Sequence, residues 1–191
     1  MPNKIKYGLK RVFYATCSIG TDGSATYGTP KAFPGAVNIS LEPQGDITNF
    51  YADDIVYWAG ANNNGYQGDL EMALISDDFR KDCLGEAADG KSVLVESVNN
   101  SSQHFALLFE FTGDQSQKRH VFYNCVANRP QVAGSTKGES IDPQTETVSI
   151  NAMSIYNTTL QKDVIKATAD DTADTTTYSG WFSAVYQTTT T

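Results

Sequence analysis

The chain has 191 residues, of which 40% are apolar and 11% aromatic, so it can bury a core and is not expected to be disordered. Its 22 acidic and 14 basic residues give a net charge of -8, which argues against a protein that grips nucleic acid by neutralising phosphates. No apolar run approaches the length of a membrane span, and the basic start MPNKIKYGLKR lacks an apolar leader core. We therefore expect a protein that is cytosolic when made.

The first fifty residues consist of apolar stretches separated by polar turns. We predict strands over residues 4–16, 36–41 and 47–51, with a loop at 20–34 and a turn at 43–46. Alternation in the second strand places Val37, Ile39 and Leu41 on its inner face. The lysines of the first strand and Arg11 form a small basic cluster.

Residues 50–79, FYADDIVYWAGANNNGYQGDLEMALISDDF, hold the densest group of aromatic side chains. An apolar run is broken by a turn-forming stretch at 60–65, and Asp53-Asp54 is read as a turn or a solvated loop. A strictly alternating strand follows over 66–74, with Asp69 and Glu71 on its polar face. Ser76 then caps a short helix, Asp77–Leu84, which Gly85 ends.

The second half of the chain is also dominated by strands. The clearest signal is a hairpin of residues 104–112 and 119–127, apolar on both faces, as expected of a sheet covered on each side. Alternation over 146–152 slips by one residue at Met153, which predicts a β-bulge. Residues 160–167 suit another strand, and 178–186 suit a helix or a strand equally. We expect one mainly β domain over 1–187 and a disordered tail at 188–191.

No set of residues that could carry catalysis is visible. The only histidines, His104 and His120, flank hairpin strands, where a structural role is commoner than a catalytic one. The odd set Cys17, Cys83 and Cys125 lacks ligand spacing and is read as buried, reduced thiols. Paired aspartates lack calcium-loop spacing, and the glycines form no phosphate cradle. We expect no enzyme, no metal and no cofactor.

Several stretches in order carry a resemblance to a known family. They are YGLKRVFYA, YGTPKAFPGAVNISLEPQGD, FYADDIVYWAGANNNGYQGDLEMALISDDFRKDCLGE, FALLFEF, RHVFYNCVANRP and STKGESIDPQTETVSI. The chain resembles the major tail proteins of long, flexible-tailed bacteriophages and prophages of Gram-positive bacteria. The resemblance covers nearly the whole chain.

The resemblance implies the fold and the function. It implies a β-sandwich or half-barrel with a flanking helix, six copies of which form rings that stack into the tail tube through which double-stranded DNA passes. It implies a virion protein assembled in the bacterial cytoplasm, with tape-measure, tail-terminator and distal tail proteins as partners. The family's long loop maps onto 50–65, so we expect an interface that includes Phe50, Tyr51, Tyr57, Trp58, Asn62, Asn63, Asn64 and Tyr66.

The charge agrees with a channel that does not hold DNA. Six copies of a chain with net charge -8 would carry 48 net negative charges per ring, and an acidic lumen repels phosphates. We hypothesise that Asp69 and Glu71 face this lumen. The alternative is that their face points outward or packs on the helix.

Two other classes remain open from the residues. A tail-associated binding or adhesion β-sandwich would also use exposed tyrosine and tryptophan side chains. A tail-like bacteriocin would use the same tube fold. Base stacking on Tyr51, Tyr57, Trp58 and Tyr66 is disfavoured because basic partners are missing.

Overall fold

The computed structural model describes residues 5–113, 116–136 and 143–188. Within these ranges the chain is mainly β, which confirms the predicted class. The elements are β1 (Leu9–Ile19), β2 (Ala25–Tyr27), β3 (Lys31–Ala32), β4 (Ala36–Pro43), β5 (Ile47–Ala52), β6 (Ile55–Ala61), β7 (Tyr66–Met72), α1 (Asp77–Leu84), β8 (Ala87–Ala88), β9 (Leu94–Val95), β10 (Phe105–Phe111), β11 (Arg119–Ala127), β12 (Glu146–Met153), β13 (Ile155–Asn157), β14 (Lys162–Val164), β15 (Lys166–Ala169) and α2 (Thr175–Gly180).

One large antiparallel sheet organises the chain. Its strand order is β2-β1-β10-β11-β12-β7-β4, with β3 added to β1 and β15 added to β11. The pairs β5–β6, β8–β9 and β13–β14 form separate two-stranded sheets. Among the described strands β4 pairs only with β7, so one long edge of the large sheet remains open.

The sheet is covered on both faces at its centre. Residues 105–110 of β10 are all buried, and β11 is buried along most of its length. One face packs against α1 in a core that includes Tyr14, Leu70 and Phe79. The other face packs against the C-terminal segment through Trp181 and Phe182. This confirms the two-sided burial predicted for the hairpin, and each fully buried large side chain contributes about 1.5–3 kcal/mol before entropy is counted.

Helix α1 has the predicted bounds and caps. The Ser76 hydroxyl accepts a hydrogen bond from the Phe79 amide at 3.3 Å, and Gly85 ends the helix with φ of 76°. Phe79 stacks on Phe33 with ring centroids 4.5 Å apart and meets Tyr14 edge-on at 5.1 Å. The helix is therefore held by local capping at its ends and by aromatic packing at its centre.

The predicted bulge at Met153 is wrong. Strand β12 ends at Met153, Ser154 interrupts the pairing, and Ile155 begins β13 in a different sheet. The Ser154 carbonyl accepts a hydrogen bond from the buried Asn124 amide at 3.0 Å, which fixes this break. The one-residue slip in the pattern arises because Ile155 turns towards the core on the other side of the sheet.

Two further expectations need correction. Val37 was predicted inside with Ile39 and Leu41, but it is 51% exposed, because a register shift lies between Ala36 and Asn38. The fold was expected to have one short helix, with residues 178–186 suited to a helix or a strand equally; the structure has a second helix there, α2, which begins earlier, is capped by Asp174 and is followed by the buried Trp181. No helix in the described ranges is long and apolar enough to cross a membrane. Of the predicted tail, residues 189–191 lie outside the described residues.

Candidate self-assembly surface

Strands β5 and β6 form a hairpin outside the large sheet. They pair from Ile47 with Ala61 to Ala52 with Ile55, with one register shift after Phe50. Asp53 and Asp54 form the turn, and both have positive φ, at 52° and 60°. The sequence allowed Asp53-Asp54 to be a turn, and this is confirmed. The turn-forming stretch at 60–65 connects the end of β6 to β7 of the large sheet.

The hairpin exposes large apolar side chains. Between 49% and 72% of each one is accessible, for Ile47, Phe50, Tyr51, Ile55, Val56, Tyr57 and Trp58. An isolated two-stranded hairpin is at best marginally stable in water, and an exposed apolar patch of this kind marks an interaction site. Four of the seven were predicted as interface residues. Ile47, Ile55 and Val56 were not, because an apolar strand that awaits a partner has the same pattern as a buried one.

Trp58 lies across the backbone of its own strand. A Cβ atom at Gly60 would overlap the Trp58 ring, so the glycine leaves the space that the indole occupies over the strand. The indole remains 57% exposed in this position. The ring is thus held against its own hairpin while more than half of the side chain stays accessible to a partner.

The asparagines lie at the base of the hairpin. The backbone amide of Asn62 donates to the Asp46 carbonyl at 3.1 Å, and that of Asn64 donates to the Gln44 carbonyl at 2.8 Å. The side chain of Asn63 accepts from the Gly65 amide at 3.3 Å. The predicted interface residues Asn62, Asn63 and Asn64 are exposed. They lie at the end of the hairpin opposite its acidic tip.

Tyr66 is separate from the exposed hairpin surface. It is half-buried at the start of β7, and its ring meets Phe122 edge-on with centroids 5.2 Å apart. The Lys166 ammonium lies 4.5 Å from the same ring. The structure therefore joins Tyr66 to the face of the large sheet, apart from the other predicted aromatic residues.

A polar ladder crosses the edge of the large sheet. In one row Ser40, Asp69 and Ser149 are paired on three neighbouring strands, and the Asp69 carboxylate accepts from the Ser149 hydroxyl at 2.7 Å. In the next row Glu71 lies between Asn38 and Thr147. Its carboxylate accepts from the Thr145 hydroxyl at 2.6 Å.

The ladder faces away from helix α1. Leu70 and Met72 alternate with Asp69 and Glu71 on β7 and are fully buried in the core that contains the helix. Asp69 is exposed and Glu71 is partly exposed in the single chain. The alternative that this acidic face packs on the helix does not hold, and the face is open to solvent or to another copy.

Charged side chains cluster at the start of β1. The Glu110 carboxylate lies 3.6 Å from the Lys10 ammonium and 3.7 Å from the Arg11 guanidinium. It also accepts from Arg119 Nε at 3.0 Å. Lys10 and Arg11 of the predicted basic cluster thus lie beside one buried carboxylate, and Lys4 lies outside the described residues.

The histidines and cysteines have structural surroundings. Nδ1 of His104 lies 2.6 Å from the amide oxygen of the buried Asn124. All three cysteines are reduced and buried, as predicted, and burial raises the pKa of Cys17 to about 11. Burial also raises the pKa values of Cys83 and Cys125. Within the described part of the chain, no three histidine, cysteine, aspartate or glutamate side chains are grouped to hold a metal ion.

No protein-family model matches the chain, and a search of curated proteins finds no match either. Evidence about function therefore comes from the exposed hairpin, the open β4 edge and the polar sheet face.

Proposed function

We propose that the chain is a structural virion protein, the subunit of a bacteriophage tail tube. Copies associate into hexameric rings, and stacked rings form the conduit for DNA. The fold would be the half-barrel or sandwich of tail-tube proteins, and the tape-measure, tail-terminator and distal tail proteins would be its partners. The subunit is assembled in the bacterial cytoplasm and ends in the virion.

The exposed hairpin carries this proposal. Seven large apolar side chains, from Ile47 to Trp58, are about half or more exposed on one ribbon. Such a surface is an aggregation hazard in a solitary protein, but it is expected in an obligate assembly, where another copy covers it. The two strands bury little of each other's surface. Contact with a partner would therefore stabilise the hairpin itself.

The open strand edge and the polar ladder support the same assembly. The outer edge of β4 presents unpaired backbone groups within the described structure, and pairing with another copy would satisfy them. The ladder through Asp69 and Glu71 lies next to this edge. If the β4 edge of each copy pairs with a different edge of the next copy around an axis, the acidic ladder lines a shared channel, and phosphates are repelled there.

The test is to concentrate the purified protein and observe it. We expect sedimentation to show species much larger than one chain, and negative-stain microscopy to show rings or tubes. A matched variant, Trp58→Ala with Tyr57→Ala, should stay folded and assemble poorly. A wild-type chain that remains a monomer at millimolar concentration would rule out the tube.

A second candidate is a tail-associated adhesion module. The exposed rings of Tyr51, Tyr57 and Trp58 would suit stacking on sugars, since aromatic faces combine apolar area with a polar edge. A monomer that binds cell-wall glycans, and loses this binding in the Trp58→Ala variant, would favour this function over the tube.

A further inference from the structure

A groove of about 350 Å³ lies beside the start of β1, lined by residues 9–13 and 32–36. Leu9, Phe13 and Pro34 give it an apolar wall. Leu9 and Phe13 are only partly buried, and Pro34 is exposed. The groove therefore offers apolar surface that the chain itself does not cover.

The rim of the groove is cationic. The side chains of Lys10 and Arg11 are 49% and 44% exposed. Both lie near the Glu110 carboxylate, but the buried Arg119 bonds that carboxylate more closely. Three cations thus share one anion, and positive charge remains at the rim although the whole chain carries -8.

Arg11 is held in place by an irregular backbone. It has φ of 51° within the register shift of β1 between Lys10 and Phe13. A left-handed backbone is strained for a residue other than glycine. The Arg11 guanidinium lies 4.2 Å from the Phe182 ring centroid, and this contact restricts its orientation beside the groove that Arg11 lines.

The hairpin tip has the complementary chemistry. Asp53 and Asp54 are exposed neighbours, and Tyr51, Ile55 and Tyr57 stand beside them. A turn with two positive φ angles favours Asn-Gly, Asp-Gly or Gly-Gly, so the turn accounts for an aspartate at its first position, and a second adjacent carboxylate adds repulsion. The folding of the hairpin therefore does not account for both charges, whereas a cationic receptor would.

The groove and the hairpin lie at opposite ends of the same strand. Ala36, the first residue of β4, lines the groove, and the hairpin leaves the sheet just after Pro43, the last residue. Eight extended residues separate the two by about 25 Å. A contact between two different surfaces of identical chains is heterologous, so it continues from copy to copy in a ring or a stack.

We propose that the acidic hairpin tip of one copy docks into this groove of a second copy. Asp53 and Asp54 would face Lys10 and Arg11, and the apolar side chains beside the tip would cover Phe13 and Pro34. The proposal rests on the proposed self-assembly and adds the groove beside β1 as the receptor and the hairpin tip as the segment that enters it.

Disulfide trapping between two variants tests the contact. Asp53→Cys subunits carrying an affinity tag are mixed with untagged Pro34→Cys subunits and oxidised, so that a tagged–untagged product can form only between copies. The three native cysteines are buried and give a low background. Asp163→Cys, on the exposed side of β14, replaces Pro34→Cys in the control mixture.

Each outcome separates this contact from the proposed tube. A 53–34 product well above the 53–163 control supports the contact, and tubes that form without it overturn the contact while leaving the tube intact. The product without rings or tubes supports the contact and counts against the tube. If the cross-linked product and the assembly are both absent, the result counts against both the contact and the tube.

Neutralising the tip gives an independent measurement. Asp53→Asn with Asp54→Asn keeps residues that tolerate positive φ, so the hairpin turn is preserved. We expect association at least about tenfold weaker at low salt, with the difference lost near 1 M salt because screening removes the charge contribution. Asp163→Asn with Asp171→Asn changes the net charge equally and should have no such effect. Equal association of both double variants would overturn the proposal.

Discussion

Nε of Arg119 lies 3.0 Å from Oε2 of Glu110, and both side chains are buried where β10 and β11 meet the C-terminal segment. The Arg119 guanidinium also donates to the Tyr178 carbonyl and lies 3.7 Å from the Tyr178 ring centroid. Glu110→Gln leaves this buried cation without its anion. We expect the free energy of unfolding, measured by urea titration, to fall by about 3 kcal/mol.

The exposed pair of Glu96 and Arg129 is the control for this change. Its Nε to Oε1 distance is also 3.0 Å, but the two side chains are about half exposed. Glu96→Gln should therefore lower the free energy of unfolding by less than about 1 kcal/mol. Equal losses in the two variants would show that burial does not set the strength of the Glu110 pair.

The two tryptophans should separate assembly from stability. Trp58 is 57% exposed and Trp181 is 2% exposed. Trp58→Ala should change the free energy of unfolding of the subunit by less than about 1 kcal/mol but strongly reduce the yield of sedimenting assemblies. Trp181→Ala should cost about 3–5 kcal/mol because it leaves a cavity in the core. Normal assembly of the folded Trp58→Ala protein would contradict the role of the hairpin.

Gly68 should be essential to the edge of the large sheet. A Cβ atom there would collide with the Ser40 carbonyl oxygen on β4, whose backbone cannot yield without loss of pairing. Gly68→Ala should lower the free energy of unfolding by about 1–3 kcal/mol and speed hydrogen exchange in β4. Gly90→Ala is the matched control, because its Cβ would meet nothing within 4 Å. Unchanged exchange in β4 would show that the strands can move apart at little cost.

Labelling of the polar ladder should reveal whether it lines a channel. Thr147 is exposed and is the strand partner of Glu71. In Thr147→Cys, a small maleimide and a bulky polymer-linked maleimide should both react with the free subunit. If the ladder lines the lumen, only the small reagent should react in assembled tubes. Reaction with both reagents would place the ladder outside, and reaction with neither would place it in an interface.

Alkaline pH should destabilise the fold. Burial raises the pKa of Cys17 from 9.0 to about 11, so above pH 9 the unfolded chain releases this proton while the folded chain keeps it. The free energy of unfolding therefore falls as pH rises from about 9 through about 11. Burial acts in the same direction on the pKa values of Tyr14 and Tyr27. Urea midpoints measured across this range should fall less steeply in Cys17→Ala, and equal slopes would contradict the role of Cys17.

Several elements follow from local chemistry alone. The caps at Ser76 and Gly85 define helix α1 because they satisfy backbone groups within a few residues of the chain. Two-sided apolar patterns defined β10 and β11, and strict alternation assigned Asp69 to the polar face of β7. These features depend on neighbours in sequence and are the same whichever strands pair.

Which apolar stretches are covered depends on the packing of the whole chain. The runs at β6 and β10 are similar in composition, yet Tyr57 is 70% exposed and Leu107 is fully buried. The docking groove is also invisible in sequence, because residues 9–13 and 32–36 meet only after β3 pairs with β1. Periodicity states which side chains share a face, whereas the path of the whole chain determines what, if anything, lies against that face.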